Sequence, residues 1–172
     1  MLGFKTTPKL RVLMVCMGNI CRSPTAEGVL RAKLQAAGLH RLVEVDSAGT
    51  SGLHGGEPPD ARAVRHAAAR GYDLSKQRAR RVVAVDFQQF DRVLAMDESN
   101  LDGLRRAVPA DATARVGLLM AYAQRFGDVL EVPDPYYGPP AGFDRVLDLV
   151  EDACDGLVAR LTQELGNFPG NA

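Results

Sequence analysis

Between Leu10 and Leu30 the chain reads LRVLMVCMGNICRSPTAEGVL, an aliphatic strand pattern that gives way within a few residues to a helical one. A strand ending at Cys16 and a helix opening near Ser23-Pro24 leave little chain for the turn, so the intervening backbone N–H groups point inward. Gly18 and Asn19 tolerate left-handed or otherwise unusual backbone angles, which lets successive N–H groups curve into an anion-binding nest above a helix N-terminus. Pro24 suits the first helical position, and Glu27 is expected in the first turn, where it would complement the positive helix end.

The same transition recurs along the chain. Strand-like runs at Leu42 to Ser47, Arg92 to Met96 and Arg115 to Leu119 alternate with helical patterns at Pro24 to Ala37, Asp60 to Arg70, Asn100 to Ala107 and Phe143 to Leu165. Alternation of this kind predicts an α/β fold: one doubly wound domain with a parallel sheet of about four strands and helices on both faces. In such sheets the ligand crevice lies beyond the carboxyl ends of the strands, where the loop after Cys16 falls. In the last helix Val146, Leu149, Val150, Ala153, Cys154, Leu157 and Leu161 form one apolar stripe, so Cys154 reads as core.

Length and composition agree with a single domain over residues 1–172. A chain of 172 residues with 46% hydrophobic content can bury one good core. Residues 1–8 and 166–172 have breaker-rich composition and are expected to be mobile tails. The 21 basic and 21 acidic side chains cancel, so no global field would hold the protein on nucleic acid or an anionic membrane. No apolar run approaches a membrane span and the start lacks a secretory signal pattern, so a cytoplasmic protein is expected. Oligomeric state has no signature in the sequence.

Three cysteines do not make a disulfide framework. His40, His54 and His66 have no mutual ligand spacing, and the cysteines form no zinc pattern, so no metal is expected. Cys16 instead sits at the base of a ring of N–H donors, at a helix N-terminus and near Arg22, surroundings that favour thiolate over thiol. Arg22 has the planar fork that engages two phosphoryl oxygens. A nucleophile at one end of the loop and an oxyanion clamp at the other make a phosphoryl-transfer site. Met17, Gly18, Asn19, Ile20, Cys21 and Ser23 complete the loop. Ser23 has two readings, helix N-cap or hydrogen-bond donor to Cys16.

These residues carry a resemblance. VCMGNICRSPTAE followed far downstream by DPYYG, with VDSAGTSG, EPPDARA and MDESNL between, resembles the low-molecular-weight protein tyrosine phosphatases over Leu10 to Leu165. The resemblance implies a flavodoxin-like fold and hydrolysis of phosphotyrosine and small aryl phosphates through a cysteinyl-phosphate. Phosphotyrosine proteins would be the partners, and no cofactor would be required. It implies Cys16 as nucleophile, Arg22 as clamp and Asp134 as general acid and then base. Asp134 lies in EVPDPYYGPP, where Pro133 and Pro135 stiffen the loop.

Tyr136 and Tyr137 would wall the substrate cleft, with Leu53 and His54 opposite, although members often carry an aromatic residue at the position of Leu53. Lys76 stands where relatives often have histidine and receives no role. Asn19 and Ser47 resemble residues that brace the loop. Cys21 could bring a second thiol to Cys16 and make it a reversible redox switch.

Three rivals remain. A related phosphoarginine branch tends to carry threonine at Ile20, where an apolar residue fits an aryl group better. An arsenate reductase of this fold needs a resolving cysteine pair near mid-chain, and none lies between Cys21 and Cys154. A non-catalytic phosphotyrosine-binding module would need neither thiol nor acid. The RARR run at Arg78 to Arg81 reads as a solvated face able to steer acidic peptides, and Asp97 as a helix cap that could also brace the site.

Overall fold

The computed structural model describes residues 7–168. The remaining parts of the two expected tails, residues 1–6 and 169–172, lie outside the described residues. Four strands, β1 (Leu10–Cys16), β2 (Val43–Gly49), β3 (Arg92–Ala95) and β4 (Arg115–Leu118), pair in the order β2-β1-β3-β4, all parallel. Among the described residues five α-helices connect and cover them: α1 (Arg22–Ala36), α2 (Ala61–Ala69), α3 (Asp86–Gln89), α4 (Glu98–Ala107) and α5 (Ala141–Gly166). This is the doubly wound architecture expected from the alternation of patterns.

The period of β1 divides the core between the two faces. Val12, Met14 and Cys16 join α1 and α5 on one side, through Leu30, Leu34, Val150, Leu157 and Leu161. Leu13 and Val15 point the other way, against Phe87 of α3 and Leu101 and Leu104 of α4. Burying both faces explains why β1 is a continuous aliphatic run. Cys154 is fully buried in the α1/α5 side, as its place in the stripe of α5 predicts. Burial pushes its thiol well above the ordinary range, which suits a filler rather than a nucleophile.

Sequence patterns place the long elements within a few residues, and the departures have local causes. β2 runs on to Gly49 because its end pairs with Cys16. A Cβ at Gly49 would lie 2.6 Å from the carbonyl oxygen of Met17, so only glycine lets the two chains pass so closely. The short α3 and a 3-10 turn at Leu119–Tyr122 carry no periodicity that a sequence could reveal. Asp152 of α5 takes the backbone N–H groups of Gln124, Arg125 and Phe126 and so ties down the chain after that turn. Toward the C-terminus, Gly166 closes α5, and the Phe168 ring lies 5.7 Å from the ammonium of Lys9.

Because β1 has β2 on one side and β3 on the other, the chain leaves its two flanks in opposite directions. The crevice this opens lies above the carboxyl end of β1, directly over Cys16.

Candidate active site

The turn from β1 into α1 is even tighter than the sequence suggests. Helix α1 begins at Arg22, with Cys21 at its N-cap position. Pro24 is therefore inside the first turn rather than at its first residue, still where no intrahelical N–H is needed. Ser23 makes no cap; its hydroxyl lies 3.0 Å from Cys16 Sγ. The left-handed residue is Asn19, at φ +56°, and not Gly18. Gly18 is small for another reason: a Cβ there would meet the His54 ring at 3.0 Å.

Asn19 holds the loop in shape from within. Its backbone N–H donates to Cys16 Sγ at 3.3 Å, and its Nδ2 donates to Ser23 Oγ and Ser47 Oγ, each at 2.9 Å. Its Oδ1 accepts the N–H of Arg80 at 3.0 Å. Ser47 Oγ in turn donates to Glu27 Oε1 at 2.9 Å. Glu27 is thus no first-turn surface residue; it is buried behind the loop, its other oxygen 3.0 Å from Arg31. Burial raises the Glu27 carboxyl above its ordinary range, with Arg31 and the Ser47 hydroxyl opposing.

Arg22 is buried to 3% exposure. Its Nη1 donates to Asp97 Oδ2 at 2.5 Å and to the Val132 carbonyl at 3.1 Å, while Nη2 stands 3.9 Å from Asp134 Oδ2. One side of the guanidinium is thereby fixed and the other borders the cleft. Asp134 itself is exposed, and its Oδ1 accepts the N–H of Tyr136 at 3.1 Å.

The cleft measures about 220 Å³. Cys16, Met17, Gly18, Ile20, Cys21 and Arg22 form its base, Leu53 and His54 one wall, and Asp134, Tyr136 and Tyr137 the other. Asn19, Ser23 and Ser47 stand behind the loop and do not line it. His54 Nδ1 is 2.7 Å from Glu57 Oε2, so the imidazole is held at the rim. Leu53 and Tyr137, 79% and 94% exposed, are the most exposed large hydrophobic residues among those described and frame the mouth. Cys21 is buried; desolvation, with the charges of Asp60, Cys16 and Asp134, pushes its thiol up to about 12 against the pull of Arg62. Among the described residues no group of three or more His, Cys, Asp or Glu side chains could hold a metal ion.

Two supporting residues, Gln77 and Arg80, were not legible beforehand. Gln77, one place after Lys76, donates from Nε2 to the Pro24 carbonyl and brings its Oε1 to 3.5 Å from Ser47 Oγ. Arg80 leaves the solvated face expected of RARR: it pairs with Asp46 and Asp86 at 3.0 Å each. Asp97 does both things its position allows, capping α4 at Asn100 and pairing with Arg22. The signal for that double role is the aspartate directly after the third strand, at the crevice end of the sheet.

A buried thiol held by the Asn19 N–H beside the Ser23 hydroxyl, with a fixed guanidinium and a carboxylate across a cleft on this sheet, is the arrangement of a cysteine-dependent phosphatase. Residues 11–167 match the family model described as low molecular weight phosphotyrosine protein phosphatase. The chain belongs to this family. It is 47% identical over 158 residues to a low molecular weight protein-tyrosine-phosphatase of Streptomyces coelicolor, covering 90% of this chain and 95% of that one. It is 45% identical over 159 residues to a putative member from Synechocystis, covering 92% of this chain and all of the relative. A crystal structure of a protein tyrosine phosphatase from Entamoeba histolytica superposes with a TM-score of 0.86 at 38% identity, covering 91% of this chain and 99% of that one.

Proposed function

We propose that the protein hydrolyses phosphotyrosine in proteins, and small aryl phosphates, through a cysteinyl-phosphate intermediate. The observation that carries this reading is the sharing of one cleft by Cys16, whose sulfur takes the Asn19 N–H and lies 3.0 Å from the Ser23 hydroxyl, Arg22, and Asp134. In the first step Cys16 Sγ attacks phosphorus as the P–O bond to the aryl group breaks, and Asp134 delivers its proton to the departing oxygen. Arg22 and the loop N–H groups hold the three remaining phosphoryl oxygens. In the second step water attacks phosphorus, gives its proton to Asp134, and displaces the Cys16 thiolate. A positioned acid of this kind typically contributes about 10²–10⁴-fold.

The apolar side chain of Ile20 and the rings of Tyr136 and Tyr137 suit an aryl ester better than a guanidinium phosphate. Three free cysteines are consistent with action in the reducing cytoplasm. Among the described residues no helix is long and apolar enough to cross a membrane. Cys21, in the same cleft as Cys16, would serve as the partner thiol of a reversible oxidation.

The test compares kcat/KM for matched phosphotyrosine, phosphoarginine and phosphoserine peptides, in EDTA and reductant, with Cys16→Ser as control. The expected result is a chelator-insensitive phosphotyrosine preference that vanishes in the variant. A phosphoarginine preference would overturn the substrate class, and activity surviving in Cys16→Ser would overturn the mechanism.

A further inference from the structure

Arg62 is not part of the cleft lining, yet it bonds the acid's segment directly and the nucleophile's loop through Asp60. Its guanidinium clasps Asp60 through two bonds, Nε to Oδ1 at 3.0 Å and Nη2 to Oδ2 at 2.9 Å. Asp60 in turn donates its backbone N–H to the Ile20 carbonyl at 2.7 Å, inside the loop of Cys16. The other arm of Arg62, Nη1, donates to the Tyr136 carbonyl at 3.1 Å. Tyr136 is the residue whose N–H holds the Asp134 carboxylate. Arg62 therefore links the two loops, bonding the acid's segment directly at the Tyr136 carbonyl and reaching the nucleophile's loop through Asp60, whose N–H bonds the Ile20 carbonyl.

The anchorage of the acid segment has two ends. Upstream, Val132 donates its N–H to the Met96 carbonyl at 2.8 Å and accepts Arg22 at its own carbonyl. Downstream, the anchor at Tyr136 is Arg62. Between them Asp134 is exposed and stands 3.9 Å from Arg22, too far for a hydrogen bond. The guanidinium also packs on aromatic rings, 5.2 Å from the Tyr136 centroid and 4.8 Å from that of Phe143. Phe143 is itself stacked on His66 at 5.5 Å. A planar fork with five donors can bond Asp60 twice, reach Tyr136 and lie on a ring at once; a lysine cannot.

We infer that Arg62 is a positioning residue for proton transfer, fixing the downstream end of the acid segment so that Asp134 meets the departing oxygen. The inference rests on the reading of Asp134 as general acid. Its chemical signature follows from what the proton does. A basic leaving group needs the proton and a weakly basic one scarcely does, so a displaced acid costs rate in proportion to leaving-group basicity. Damage to the nucleophile or the phosphate cradle costs all substrates alike.

The experiment measures kcat/KM for phenyl, 4-nitrophenyl and 2,4-dinitrophenyl phosphate, together with inhibition by inorganic phosphate. The proteins are the parent, Arg62→Gln, Arg62→Lys, Asp134→Asn and the Arg62→Gln/Asp134→Asn double variant. Arg62→Gln is expected to lose about tenfold to a hundredfold on phenyl phosphate and no more than about twofold on the dinitrophenyl ester, with phosphate inhibition unchanged. Arg62→Lys, which keeps the charge but not the fork, should fall between. On phenyl phosphate the double variant should be no slower than Asp134→Asn by more than about twofold. A uniform loss across the three esters, or additive losses in the double variant, would overturn the inference while leaving the acid in place. If Asp134→Asn itself does not steepen the leaving-group dependence, the acid reading falls, and the role of Arg62 with it.

Discussion

Asp97 divides one carboxylate between two tasks: Oδ2 receives Arg22 Nη1 at 2.5 Å, and Oδ1 receives the Asn100 N–H at 2.7 Å. The side chain of Arg22 is 4% exposed and that of Asp97 20%. A guanidinium buried this deeply needs a counter-charge, and without a phosphoryl group in the cleft Asp97 is its near partner.

Asp97→Asn keeps a capping acceptor but removes the charge, so the two tasks separate. The variant should lose about 3 kcal/mol, because Arg22 is left buried with the Val132 carbonyl and a distant Asp134. Saturating phosphate should then recover more stability in the variant than it adds to the parent, since the anion becomes the counter-charge. Asp97→Ala should cost about 1 kcal/mol more through the lost cap. Thermal unfolding with and without phosphate checks this; equal stabilisation of parent and variant would mean that Asp97 does not balance Arg22.

Ser23 has one hydroxyl hydrogen and two acceptors near it, Cys16 Sγ at 3.0 Å and the Ala48 carbonyl at 3.3 Å. Asn19 Nδ2 already donates to its oxygen, which leaves that hydrogen free to turn toward the sulfur. In the proposed mechanism the bond would matter most when Cys16 leaves as thiolate in the second step. Hydrogen bonds to charged groups contribute about 1.5–3 kcal/mol, so Ser23→Ala should slow breakdown of the phosphocysteine by roughly tenfold to a hundredfold. Rapid mixing with 4-nitrophenyl phosphate should show a larger burst relative to the slow phase. A variant with unchanged turnover would remove Ser23 from the reaction.

Glu27 makes a prediction about pH with a definite sign. Its folded-state pKa is raised from an ordinary value of 4.5, chiefly by burial. The folded protein therefore binds this proton more tightly than the unfolded chain does. Glu27's contribution to stability falls as pH rises from the unfolded pKa through the folded one, and is level above it. Glu27→Gln removes that dependence, so the variant should gain on the parent as pH rises from the ordinary carboxyl value of 4.5 toward neutrality. Urea unfolding at intervals across that range tests it; a difference between the two proteins that does not change with pH would show that Glu27 is not held in this way.

Where the information in the chain is local, the sequence was sufficient. The aliphatic period of β1, the stripe of α5 and the short C-x5-R turn each declare themselves within a few residues, and Cys16, Arg22, Asp134, Tyr136 and Tyr137 line one cleft. What stayed hidden is the bracing that depends on side chains from distant segments. Gln77 and Lys76 are neighbours in sequence, yet it is Gln77 that turns toward Ser47, and only the path of the chain from α2 to Arg80 decides that. Arg62 looks like an ordinary helix-surface arginine until Tyr136, 74 residues away, is seen to lie beside it. Glu27 reads as a dipole-complementing acid because its burial is caused by β2, which a helical pattern cannot reveal.

Cys21 closes the set with a redox prediction that its own environment shapes. Its pKa of about 12 keeps it a neutral thiol at physiological pH, so it does not compete with Cys16 for phosphorus. Peroxide would convert the Cys16 thiolate to a sulfenic acid, and the Cys21 thiol would then displace water from that sulfur to form a disulfide. Thiolate is the attacking form, and its fraction rises about tenfold per pH unit well below the pKa, so ring closure should accelerate steadily between about pH 6 and pH 8. Parent enzyme exposed to peroxide should regain activity under dithiothreitol, whereas Cys21→Ser should regain little and carry Cys16 as sulfinic acid by mass spectrometry. Full recovery of Cys21→Ser would leave the second thiol as nothing more than a small side chain that fills the base of the cleft.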